Sequence, residues 1–199
     1  MRLFNQWLTA DTGEQDATCL QRRRLLRVMA GSAALLAVPS ISNANIMPSR
    51  HQRALAFAHT HTGEQLSVVY KAGHTYLPQS MAKIAYLMRD FRSGDVHPID
   101  PALLDMLWHV QSNLKTSKPF EIISAYRSAA TNDKLRGKSS HSGVAKKSMH
   151  LSGQAIDIRL PGLTLADVRD AALELNRGGV GYYPDSNFVH VDTGRVRHW

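Results

Sequence analysis

At 199 residues the chain has room for one domain with a substantial core plus appendages, and it falls short of two full domains. Its 43% hydrophobic and 20% charged content, without internal repeats or low-complexity tracts, excludes a disordered chain and a solenoid. The 24 Lys+Arg against 16 Asp+Glu give a net charge of +8, which favours anionic surroundings, yet no dense basic patch interleaved with aromatics marks a nucleic-acid module.

Residues 1–44 read as an export signal rather than as part of the fold. Arg22-Arg23-Arg24-Leu25-Leu26-Arg27 is followed by the apolar stretch Val28 to Pro39 and by Ser42-Asn43-Ala44. That order is basic region, hydrophobic region and small-x-small cleavage site. The apolar stretch is shorter than the roughly 20 residues that a membrane-spanning helix needs. Paired arginines followed by two leucines resemble a twin-arginine signal, so a periplasmic location is expected, with cleavage after Ala44 or a membrane tether if the signal stays. Export argues against nucleic acid as a partner. The single cysteine, Cys19, precedes the arginines, so the remainder offers no thiol as ligand or nucleophile and keeps a net charge of +6.

Residues 45–53 read as a linker, and residues 54–199 as one catalytic domain, expected to be a monomer. Ala54 to Ala58 and Gln65 to Tyr70 flank a turn-like His61-Thr62-Gly63-Glu64 and predict a β-hairpin, with His59 and His61 on the surface. Ser80 to Phe91 predicts a helix with Ile84, Leu87, Met88 and Phe91 on one side. A second helix starts at Asp100 as N-cap with Pro101 in its first turn, and carries Leu103, Leu104, Leu107, Trp108, Gln111 and Leu114 at helical spacing. Phe120 to Ser124 reads as a strand, followed by a long polar loop from Tyr126 to Ser148. Gln154 to Leu160 is a strand, Thr164 caps a helix that stops at Gly178-Gly179, and Val180 to Tyr183 and Phe188 to Asp192 are strands joined by a turn. The expected fold is α+β, a small, mainly antiparallel sheet with flanking helices.

Three residues in this pattern have metal-ligand chemistry. His150 and Asp157 lie where a loop runs into a strand, and His190 sits in the last predicted strand. Two imidazoles and a carboxylate suit zinc, and three protein ligands leave a fourth position open, as a hydrolase requires. His74 and His97 read as solvated, His109 as structural or solvated, and Trp199 as packing against the sheet.

Ser148-Met149-His150-Leu151-Ser152-Gly153-Gln154-Ala155-Ile156-Asp157 resembles the Ser-x-His-x-x-Gly-x-Ala-x-Asp motif of the LAS metallopeptidases, the group of lysostaphin, D-alanyl-D-alanine carboxypeptidases and sonic hedgehog. Ser124-Ala125-Tyr126-Arg127-Ser128 and Phe188-Val189-His190-Val191-Asp192-Thr193-Gly194 are similar to the YcbK/MepK-type murein endopeptidases of that group. The resemblance implies Zn2+ held by His150, Asp157 and His190, and peptidoglycan stem-peptide cross-links as substrate. It gives Arg127 the role of the cation that meets the developing oxyanion, unless Asp133 or Glu121 pairs with it on the surface. Tyr126, Ser148 and His141 become candidate substrate-binding residues, Ser148 as a supporting residue rather than a nucleophile. The group's usual proton acceptor before the last ligand is missing, since Asn187 and Phe188 stand there. Asp192, two residues past His190 and on the same strand face, is the favoured base, with Asp185 second and orientation of a ligand histidine as the alternative role of Asp192. A D-alanyl carboxypeptidase and a non-catalytic zinc-containing wall-binding module are the alternatives.

Overall fold

Strand, turn and capping signals follow one another closely enough that the chain alternates between sheet and helix throughout. The computed structural model describes residues 51–137 and 144–199. The expected export signal, the first part of the expected linker and His141 lie outside the described residues. Strands β1 (Gln52–His59) and β2 (Gln65–Ala72) form the expected hairpin, extended by β3 (Thr75–Tyr76). β1 thus begins two residues inside the expected linker. Helices α1 (Pro78–Leu87) and α2 (Pro101–Asn113) follow, then β4 (Phe120–Ser124), α3 (Ala129–Arg136), a 3-10 turn (Met149–Ser152), β5 (Ala155–Arg159), α4 (Leu165–Leu173), β6 (Gly179–Tyr183), β7 (Phe188–Asp192) and β8 (Arg197–His198).

The class is α+β as expected, but the sheet is a mixed one rather than the small, mainly antiparallel sheet expected. Among the described residues eight strands form one mixed sheet in the order β3-β2-β1-β4-β5-β7-β6-β8. β1 pairs with β4, and β6 with β8, in parallel. The reason is connectivity: α1 and α2 carry the chain over the sheet and return it beside β1 in the same direction, which a short turn cannot do. β8 is too short to announce itself by alternation.

Side-chain alternation divides the sheet into two faces. Ile156 and Ile158 of β5 and Val189 and Val191 of β7 are fully buried in the core, beneath α2 and α4, which pack on each other. Their neighbours in sequence, Asp157 and His190, therefore point to the opposite face. α2 is fixed by its N-cap, since the Asp100 carboxylate accepts from Ala102 N at 2.9 Å and from the Thr193 hydroxyl at 2.7 Å. α4 starts in a capping box between Thr164 and Asp167.

Three local expectations are corrected. α1 starts at Pro78, a residue suited to a first helical turn, and ends before Phe91, whose ring instead stacks on His61 at 4.2 Å. His59 is not on the surface but 2% exposed, its Nδ1 accepting from His61 N and Thr62 N in the hairpin turn. The polar segment after Tyr126 contains α3, capped by Ser128, whose N–H and hydroxyl both donate to buried Asp90. Its few apolar residues hid the helical period.

Candidate functional site

His150 reaches the site from the 3-10 turn, Asp157 from β5 and His190 from β7. The turn is capped by Ser148, whose hydroxyl accepts from His150 N, and ends at Gly153 in the left-handed conformation with φ 66°. A side chain at Gly153 would run into the Pro98 carbonyl, so glycine here serves both the turn and the close approach. Asp157 and His190 are direct cross-strand partners in the antiparallel β5–β7 pair. Residues 33 apart in sequence are thus adjacent by register alone.

One ligand atom from each of His150, Asp157 and His190 lies within 4.8 Å of the others. His150 Nδ1–H donates to the Ala125 carbonyl at 2.6 Å, which leaves Nε2 3.3 Å from Asp157 Oδ1 with its lone pair free. His190 Nδ1 is 2.8 Å from the same oxygen, and its Nε2 is 3.0 Å from Asp192 Oδ2. Each imidazole therefore presents one nitrogen to a common point and has the other anchored, an arrangement that fixes tautomer and orientation in histidine metal ligands. The donor set of two nitrogens and one carboxylate oxygen fits zinc.

Electrostatics follow from this crowding. Burial opposes a proton on His190, but the hydrogen bonds to Asp157 and Asp192 outweigh it and lift the imidazole to about 9 without a metal. Burial raises the Asp157 and Asp192 carboxyls, yet their cationic and hydrogen-bonding neighbours more than reverse this and hold both well below the usual carboxylate range.

A cavity of about 200 Å³ opens on the triad. Arg127 lines it and is 8% exposed; Asn132 is its side-chain partner at 3.4 Å, and its Nε has none among the described residues. Burial pulls its guanidinium below the ordinary arginine value. The two acids considered as its surface partners are taken elsewhere, Asp133 by Arg136 and Glu121 by Arg159. Ser148 also lines the cavity. Tyr126 does not: its ring stacks on His97 at 4.7 Å, so His97 is half-buried rather than solvated.

Asp192 is 0% exposed and is absent from the cavity wall. Its Oδ1 accepts from Gly179 N, Gly194 N and Arg197, and its Oδ2 from His190 and Arg197. Asp185 is exposed in the β6–β7 turn, likewise away from the cavity wall. Sequence reasoning did not single out Arg197 or Tyr183 as site residues, nor Trp199 as part of the wall; all three line the cavity. The Arg197 signal was there in part, since a carboxylate destined for a dry strand requires a cationic partner.

The sequence model of the family described as Peptidoglycan L,D-endopeptidase MepK matches residues 47–199. The chain is 43% identical over 180 residues to the Peptidoglycan L,D-endopeptidase MepK of Escherichia coli (strain K12), covering 89% of this chain and 96% of that protein. It is 41% identical over 180 residues to the Probable peptidoglycan L,D-endopeptidase MepK of Haemophilus influenzae, covering 90% of this chain and 96% of that protein. No solved structure matches the chain. A family match spanning all of the described residues, with relatives at this identity, places the chain in the peptidoglycan L,D-endopeptidase MepK family.

Proposed function

We propose that the chain is a zinc-dependent murein endopeptidase that hydrolyses peptide cross-links of peptidoglycan in the periplasm, reached through the twin-arginine-type signal of residues 1–44. The observation that carries the reading is the convergence of His150, Asp157 and His190, each imidazole anchored through its second nitrogen, in a cavity shared with a buried guanidinium. Membership of the MepK family supports the substrate class.

When bound, zinc supplies Lewis-acid polarisation of the scissile carbonyl and acidifies a water molecule. The chain's own groups do the rest. Ala125 and Asp192 hold the two imidazoles in the tautomers that leave His150 Nε2 and His190 Nδ1 as ligand atoms. Arg127, short of hydrogen-bond partners in a dry wall, meets the negative charge that develops on the carbonyl oxygen, where a fixed cation is worth more than in water. Ser148 supports the turn that carries His150. Asp192 is better suited to positioning than to proton transfer, because both its oxygens are saturated by donors and neither faces the cavity. This revises the assignment of Asp192 as the base.

Purified cross-linked muropeptides, digested by the full chain and resolved by mass, test the reading. Conversion of dimers into monomers is expected. Shortening of monomers with dimers intact would instead assign Arg127 to clamping a terminal carboxylate and make the chain a carboxypeptidase. The absence of any product would leave a wall-binding module.

A further inference from the structure

The sheet lays one row of residues side by side across the site. Asp157 on β5 is paired with His190 on β7, and His190 with Gly181 on β6. Trp199, which follows β8, extends the row. Its N–H donates to the Val180 carbonyl at 3.2 Å and its carbonyl accepts from Tyr182 N at 3.0 Å, so its backbone brackets Gly181. A Cβ on Gly181 would come within 2.7–2.9 Å of three indole atoms. The missing side chain is therefore what lets the indole settle beside His190, with ring centroids 5.4 Å apart.

The indole is held from several sides. Its Nε1–H donates to the Tyr183 hydroxyl at 2.6 Å, and the Arg197 guanidinium lies 4.9 Å from its ring centre while also pairing with Asp192. Nevertheless Trp199 is 49% exposed and lines the cavity together with Tyr183 and Phe188, whose rings stack at 4.6 Å. Core packing alone does not account for a fixed, half-exposed indole beside three metal-ligand atoms. It is a ready apolar surface whose own polar group is already satisfied.

We infer that Trp199 contacts the substrate and sets specificity, its indole receiving the hydrocarbon part of the stem-peptide residue beside the scissile bond. The inference rests on the functional reading above. The cavity's polarity agrees with it: Arg127 and Lys147 supply cations for carboxylates, while the side formed by Trp199, Tyr183 and Phe188 suits methylene groups.

Two measurements on the full chain test the proposal. In kinetics with purified cross-linked muropeptides, Trp199→Ala raises KM about tenfold, the worth of roughly 50 Å² of apolar contact, and leaves kcat within a few-fold. Trp199→Phe, which keeps a ring and the backbone pairing, recovers most of that loss. In binding, the chelated and therefore idle protein is titrated with the same muropeptides, and the emission of Trp199 is taken as the difference between the full chain and Trp199→Phe. That emission changes on saturation. Muropeptides that bind with unchanged Trp199 emission, or a kcat loss at unchanged KM accompanied by a lower melting temperature, overturn the inference while leaving the functional reading intact. A full chain that neither binds nor cleaves them overturns both.

Discussion

Asp192 and His190 are two residues apart on one strand, and the hydrogen bond between them fixes the orientation of the imidazole. An imidazole in a dry sheet can rotate or bind through the wrong nitrogen unless its second nitrogen is claimed. Asp192 claims it, and Arg197 together with two backbone N–H groups fixes Asp192 in turn. Asp192→Asn tests this role against proton transfer. As a positioning residue, its replacement weakens zinc affinity about 10–100-fold, measured by competition with a chromophoric chelator, and excess zinc restores much of the activity. Unchanged zinc affinity with a kcat reduced about 10²-fold or more would return Asp192 to the role of general base. The pairing of His150 with Asp157 was legible in the sequence because motif spacing concerns near neighbours, whereas His190 joins them through the β5–β7 register and was picked out by its own strand motif. The saturation of Asp192 was not legible, because Arg197 reaches it from a strand without a pattern of its own.

At the scale of elements, the 3-10 turn is the part of the site with the least tolerance. Gly153 ends it at a positive φ with the Pro98 carbonyl against its Cα, and the turn delivers His150. Gly153→Ala is expected to cost about 2 kcal/mol or more in urea unfolding, from left-handed strain plus a backbone clash, and to weaken zinc binding along with it. Full stability in that variant would show that the turn is free to relax. Hairpins and caps were readable here: Asp100-Pro101 and Thr164 mark helix starts because the side chain and backbone involved are local. α3 was lost in a polar segment because it buries only a small face, with Thr131 and Asn132 inward. The parallel β1–β4 pairing depends on a crossover of two helices, and no dipeptide encodes it.

For the whole molecule, the cluster of His190 with Asp157 and Asp192 is also a store of electrostatic free energy. In the metal-free protein His190 is lifted from an ordinary 6.5 to about 9 by its two carboxylate partners, against the effect of burial. Its folded value lies above its unfolded value, so the stabilisation is complete below about pH 6.5 and is lost as the pH rises through about 9. The urea midpoint of chelated protein should therefore fall between pH 6 and 9.5, by the equivalent of at most about 3 kcal/mol. Zinc-loaded protein should fall less, because a metal at Nδ1 takes the place of the proton. A flat profile for the chelated form would contradict the clamp of His190 between Asp157 and Asp192.

His150, Asp157 and His190 are proposed to hold the metal that drives cross-link cleavage. The most direct measurement is the rate of muropeptide dimer cleavage by the full chain after chelation and again on return of one equivalent of zinc, beside His150→Ala under the same conditions. Loss of activity on chelation, recovery with zinc, and no recovery in His150→Ala at any zinc concentration that the wild type tolerates are the expected results. Dimer cleavage that survives chelation, or that persists in His150→Ala, would contradict this role of the three residues.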